Sequence, residues 1–169
     1  VGGDEATTGP LDLRPISPED HDDLFAAYTQ IVEAGDGFPH EPPLARADFD
    51  DYWLHHASAV WLVRVDGRVA GAYYVKPNFV GRAAHISNAG YFVLEPFRGR
   101  GLGRTLVEHS LREARRLGFD AMQFNLVFAS NPARSMYRSL GFVEIGRIPA
   151  AVDGDDAVIY WRSLIPEGP

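Results

Sequence analysis

The 169 residues carry 46% hydrophobic and 23% charged side chains, 16 Lys+Arg against 23 Asp+Glu, and no cysteine. That length suits one ordinary domain able to bury roughly 70% of its unfolded surface, and the composition excludes a disordered or fibrous chain. The absence of cysteine excludes disulfides, thiolate metal sites and a cysteine acyl-enzyme, and a net charge of −7 argues against a general nucleic-acid or anionic-membrane binder.

Residues 1–10 are polar and Gly-rich and lack the apolar stretch of a signal peptide, so they read as a flexible tail before a single domain over 11–165. Residues 11–14 read as a short strand. Ser17, with Pro18, Glu19 and Asp20 behind it, reads as a helix start: a cap, a proline in the first turn, and acids at the positive end of the helix dipole. Leu24, Ala27, Tyr28 and Ile31 then recur at helical spacing, with Gly35 as the stop. Pro39, Pro42 and Pro43 predict a loop, and a short helix after it carries Phe49, Tyr52, Trp53 and His56. Residues 59–65 and 68–75 form a hairpin about Asp66-Gly67, and 86–94 a third long strand ended by Pro96. Leu106, Val107, Ser110, Leu111, Ala114 and Leu117 lie on one stripe of a long helix closed by Gly118. Residues 122–128 are a strand and 131–140 a short helix. Strands over 144–148 and 157–164 finish the chain, with a loop between them. The order predicts an α/β (mixed α+β) domain, a mixed sheet with helices packed on it. No apolar run approaches the ~20 residues of a membrane span. The default expectation is a cytoplasmic protein.

Charge is unevenly placed. Residues 1–60 hold 13 acids and two bases, whereas residues 98–116 hold six arginines and two glutamates. One concentrated basic segment in an acidic chain suits a small polyanion bound at one place, or a solvated helix face. Lys76 is the one lysine among the sixteen bases, and arginine's fixed fork suits phosphate.

The stretch Arg98-Gly99-Arg100-Gly101-Leu102-Gly103-Arg104 lies between a predicted strand and the long predicted helix. Alternating glycines let the backbone approach a ligand and adopt positive φ. Their N–H groups, with the free donors of the helix start, form a nest for phosphate oxygens. A P-loop would need Gly-Lys-Ser/Thr where Gly103-Arg104-Thr105 stands, and a dinucleotide fingerprint a third glycine in place of Arg104.

This segment resembles the GNAT superfamily of acetyl-CoA-dependent N-acetyltransferases, whose Arg/Gln-x-x-Gly-x-Gly/Ala motif is matched by Arg98, Gly101 and Gly103. Asn131-Pro132-Ala133-Arg134, Tyr137 and Gly141-Phe142 follow in the family's order. The resemblance implies a mostly antiparallel mixed sheet of about seven strands with a splayed parallel pair, flanked by about four helices. It implies acetyl-CoA as cosubstrate, its pantetheine arm pairing with the main chain of Phe92, Val93 and Leu94, its diphosphate on Arg98 to Arg104. Asn131 would orient the arm and Arg134 meet a coenzyme phosphate. Tyr137 would protonate the leaving thiolate, as a phenol can. The Val93 N–H would polarise the thioester carbonyl.

Other roles stay open. His85 is a candidate base, with Glu33, His40 and Glu41 as alternatives near the acceptor wall. Asn88, Gln123 and Asn125 are polar within strands that otherwise read as buried, so they either bond across the splay or line an acceptor pocket. The acids of the 149–156 loop would suit a cationic amine, or only a solvated surface. His55 and His56 lack metal-ligand partners at useful spacing, so no metal is assigned. The leading expectation is acetylation of a small-molecule primary amine without nucleic acid or membrane. A peptide or protein acceptor is the second, and a non-catalytic coenzyme A sensor the third. Relatives often form homodimers, but no interface is specified by the sequence.

Overall fold

In the computed structural model, which describes residues 10–166, the expected tail lies outside the described residues except for Pro10. The strands are β1 (Leu11–Pro15), β2 (Ala59–Val65), β3 (Arg68–Pro77), β4 (Ile86–Val93), β5 (Ala121–Phe128), β6 (Val143–Val152) and β7 (Asp155–Ser163). They form one sheet in the order β1-β2-β3-β4-β5-β7-β6, parallel only between β4 and β5. Four α-helices accompany it among the described residues: α1 (His21–Ala34), α2 (Arg46–Phe49), α3 (Leu102–Arg116) and α4 (Arg134–Ser139). This is the mixed sheet and helix complement that the resemblance implies. No helix among the described residues is long and apolar enough to cross a membrane.

Side chains alternate across a strand, and that alternation divides the core in two. Tyr74 and Phe92 point toward α1 and the turn of helix that follows α2, where Trp53 sits 5.1 Å and 5.5 Å from their rings and Tyr28 lies 6.0 Å from Phe92. Tyr73 and Tyr91 point the other way, onto α3, bonding His109 at 2.7 Å and Ser110 at 2.6 Å. Tyr91 also meets Phe124, which packs on Tyr137 of α4 at 4.9 Å. Helices α1 and α2 therefore cover one face, α3 and α4 the other.

Local chemistry explains the elements and their departures from expectation. Asp66 (φ 51°) and Gly67 (φ 73°) both take positive φ, which a two-residue hairpin turn matched to strand twist requires. The helix expected from Ser17 begins instead with a 3-10 turn, Pro18–Asp20, before α1. The cause is Asp20, only 2% exposed, whose carboxylate accepts from Arg14 at 2.7 and 2.8 Å, Arg64 at 3.0 Å, and the Ser17 N–H at 2.9 Å. The short helix expected around Trp53 is α2 followed by a π turn, Asp50–His55. The loop expected over 149–156 is largely strand. A bulge between Ile148 and Val152 interrupts β6, and the β6–β7 turn falls at Asp153 and Gly154. Its acids serve the chain itself: Asp156 accepts from the Ala150 N–H at 2.9 Å, and Asp155 from the Ser130 hydroxyl at 2.6 Å.

The Arg14 guanidinium, with Ser17 and Arg64, holds the Asp20 carboxyl well below the usual carboxylate range, against the opposing effect of burial. A depressed folded-state pKa contributes stability above the ordinary value of roughly 4, and that contribution fades as pH falls. Asp20→Asn is expected to cost about 2–3 kcal/mol at pH 7, discounted because Arg14 is half-exposed, and much less near pH 2. Urea unfolding of both proteins at the two pH values measures this; a constant difference would exclude the linkage.

Candidate active site

Strands β4 and β5 pair only through Ile86 with Ala121 and Ser87 with Met122, and then diverge. Asn88 bridges the start of the gap, donating from Nδ2 to the Gln123 carbonyl at 3.0 Å. The Leu94 N–H bonds the Ala70 carbonyl of β3 at 2.8 Å. By the alternation of an antiparallel ladder, the main chains of Phe92 and Leu94 face β3, while those of Tyr91 and Val93 face the gap. Of the expected trio, only Val93 offers its backbone there, and Tyr91 joins it. Which residues of a strand face an open edge is set by its partner's register, so no signal within 86–94 would have identified Tyr91.

After β4 a 3-10 turn, Glu95–Phe97, leads into the glycine loop and α3. Gly99 and Gly101 hold φ of 74° and 78°, and no neighbouring atom lies within 4 Å of where their Cβ would be. The loop is thus open above its backbone and needs glycine for conformation. The Thr105 N–H is the first of α3 to bond back, to Gly101 at 3.1 Å. The N–H groups of Leu102, Gly103 and Arg104 have no acceptor within the helix, and Gly101 supplies no capping side chain. These donors at the positive end of a fifteen-residue helix fit a diphosphate.

The arginines brace this loop. Arg98 donates to the Val93 carbonyl and to Asp36, each at 2.9 Å. Arg100 reaches the Pro96 carbonyl at 3.3 Å and lies over the Phe97 ring. Arg104 bonds Glu108 at 2.8 Å and Ser139 at 3.1 Å. Arg134 is turned inward to the Tyr160 hydroxyl at 3.0 Å and the Ala129 carbonyl at 2.9 Å, tying α4 to β5 and β7. A guanidinium with protein acceptors at hand settles on them, which a count of basic residues does not disclose. Asn131 accepts from the Ala133 N–H at 2.9 Å and borders the gap.

A cleft of about 680 Å³ runs through the splay. On the α3/α4 side it is bordered by Tyr91, Phe124, Asn131 and Tyr137. Tyr137 is 8% exposed, and burial, helped by nearby Tyr160, pushes its phenol up to about 12. On the other side stand Phe38, Tyr52, Tyr74, Lys76, Asn88 and Asn125. Tyr74 donates to the Tyr52 hydroxyl at 2.9 Å. Its ring lies so close to β4 that a Cβ on Gly90 would fall 2.6 Å from it, so only glycine fits there. Asn125 and Asn78 exchange bonds at 2.6 and 3.1 Å. Asn88 and Asn125 thus both bond across the sheet and border the cleft.

The structure does not bring the other candidates into this group. His85 is exposed beside the paired end of β4, its Nδ1 3.1 Å from the Arg82 carbonyl, and Glu33 is exposed on α1. Neither borders the cleft. His40 contacts the Tyr28 hydroxyl at 2.9 Å and borders an adjoining pocket of about 310 Å³. Burial pushes its imidazole down. Tyr52 and Tyr74 were not expected at the site, because aromatic residues on a helix or a buried strand read as core; Lys76, at the end of a strand, carries no local signal for it.

The sequence profile of the acetyltransferase (GNAT) family matches residues 21–142. The N-acetyltransferase aca1 of Schizosaccharomyces pombe is 34% identical, over 85% of this chain and 63% of its own length. Protein SPT10 of Saccharomyces cerevisiae is 34% identical over 76% of this chain and 28% of its length. The chain therefore spans less than two thirds of either relative. A GCN5-related N-acetyltransferase from Kribbella flavida superposes with a TM-score of 0.83 at 29% identity, over 90% of this chain and 97% of that one.

Proposed function

This chain belongs to the acetyltransferase (GNAT) family, and on that premise we propose that it moves an acetyl group from acetyl-CoA to a primary amine of a small molecule by direct transfer. The observation that carries this reading is the β4–β5 split, bordered by a buried phenol and followed directly by the uncapped start of α3. A cleft walled by Phe38, Tyr52 and Tyr74 favours a small acceptor over a protein segment.

The N–H groups of Gly99 to Arg104 hold the diphosphate, and the main chain of Tyr91 pairs with an amide of the pantetheine arm. Acetyl-CoA supplies an activated thioester. The Val93 N–H donates to the carbonyl oxygen as negative charge grows there. The free-base amine attacks the carbonyl carbon, a C–N bond forms and the C–S bond breaks. Tyr137 gives its proton to the departing sulfur and is reprotonated with the proton the amine sheds, relayed by solvent. A phenol pushed up to about 12 is a reluctant acid toward an ordinary thiolate. The same apolar surroundings raise the proton affinity of the sulfur leaving into them, which restores the balance. With no cysteine in the chain, no thioester of the protein intervenes.

A phenol is protonated below its pKa, so Tyr137 keeps its proton throughout the assayable range. The expected kcat/KM profile rises with pH as the acceptor amine deprotonates, and Tyr137 adds no falling limb below about pH 10. A falling limb at lower pH that Tyr137→Phe removes would contradict this. Thiol release from acetyl-CoA over a panel of small amines and peptide N-termini tests the reaction itself. Tight acetyl-CoA binding without thiol release on any amine would overturn it in favour of a sensor.

A further inference from the structure

The acidity of the chain stops at the cleft. Residues 1–60 hold 13 acids, yet among the described residues no aspartate or glutamate borders the cavity through the splay. Lys76, the single lysine of the chain, is the one lysine or arginine among the described residues that border it. This group lies 4.6 Å from the centre of the Tyr52 ring and 5.0 Å from that of Tyr74. It forms no ion pair among the described residues, and burial alone lowers its pKa. Asp48 and Asp51 border the adjoining pocket that Lys76 also touches, but both are exposed and Asp51 is held by His55 at 2.7 Å.

A half-buried cation facing two aromatic rings gains from their π faces but lacks a counter-charge. The described residues across the cleft include the Asn78 and Asn125 amides and the exposed His56, and no carboxylate. We propose that Lys76 selects the acceptor by docking an acidic group, a carboxylate or its equivalent, carried by the same small molecule that presents the amine. This inference rests on the acetyltransferase reading and reverses the cationic-amine preference that the acids of the 149–156 loop suggested. It has a second consequence for the chemistry. Paired with the acceptor's carboxylate, the Lys76 ammonium offsets the stabilisation that this carboxylate would otherwise give the acceptor's own ammonium. Lys76 thereby helps supply the free base without any dedicated proton acceptor, which agrees with His85 and Glu33 lying elsewhere.

Acceptor pairs that differ by one carboxylate test this: L-leucine against 3-methylbutylamine, and 4-aminobutanoate against n-propylamine. The wild type is expected to favour the acid of at least one pair. In Lys76→Gln that preference should fall about 10–100-fold, the range of a charge-assisted bond, and chiefly through KM. Lys76→Arg should restore part of it, and acetyl-CoA affinity by calorimetry should stay unchanged in both. A second readout needs no turnover. In protein labelled with 13C-lysine, Lys76 gives the only lysine signals, and they should shift with L-leucine or 4-aminobutanoate but not with the uncharged partners. Equal or better use of the uncharged amines, preference for a peptide N-terminus, or an equal loss for both members of each pair in Lys76→Gln would overturn the assignment. Absence of thiol release with every amine would instead count against acetyl transfer, and the lysine signals would still decide whether Lys76 docks the acid.

Discussion

Tyr137→Phe is expected to lower kcat by about 100–10,000-fold at saturating acceptor, with acetyl-CoA affinity and stability close to wild type. The substitution removes one oxygen and keeps the ring that packs on Phe124 at 4.9 Å and on Phe142 and Tyr160, each at 6.0 Å. The hydroxyl makes no hydrogen bond among the described residues that its loss would leave unpaired. The effect should therefore fall on the protonation of the leaving sulfur and not on the core. Stopped-flow or steady-state thiol release measures it, with calorimetric acetyl-CoA binding as the check on folding. A loss under about fivefold would remove Tyr137 from the role of acid.

The second large effect is expected from Gly101→Val, which should weaken acetyl-CoA binding by about 100-fold or more while the protein stays folded. Gly101 holds φ 78° with nothing within 4 Å of where a Cβ would sit, so a valine meets backbone strain and no collision. Relief of that strain rotates the peptide planes on either side of the residue. The N–H groups of Leu102 and Gly103 then no longer converge on one anion. Because the first turn of α3 has no side-chain cap to hold it, the reorientation costs little elsewhere. Isothermal titration with coenzyme A and thermal unfolding, run together, separate the two effects. Unchanged affinity in a folded protein would show that these amides do not bind the diphosphate.

The features that could be read along the chain share a physical character: each is decided within a few residues. The Asp66-Gly67 hairpin follows from the demand of a two-residue turn for positive φ, which both residues meet. The apolar stripe from Leu106 to Ala114 became the buried face of α3, and the loop before it followed from glycine spacing. The motif pair built on Arg98–Gly103 and Asn131–Phe142 led to the family and through it to the splayed sheet. The departures were also local in part. Asp20 drew the start of α1 into a 3-10 turn, but it did so with Arg14 and with Arg64 from another strand, so sequence neighbours alone did not reveal it.

What the sequence by itself determined was the order of elements, the turn chemistry, the glycine loop and the family, because periodicity and backbone preference act over one turn or one strand. What only the tertiary structure decided was which groups face the cleft. The register of β4 against β3 turned the main chains of Tyr91 and Val93 outward, and Phe92 and Leu94 inward. Long-range partners drew Arg98 onto Asp36, Arg104 onto Ser139 and Arg134 onto Tyr160, and left Lys76 without an ion pair among aromatic and amide walls. Hydrogen-bond registry and charge pairing are satisfied between residues far apart in the chain, and a linear pattern carries no record of which partners will meet.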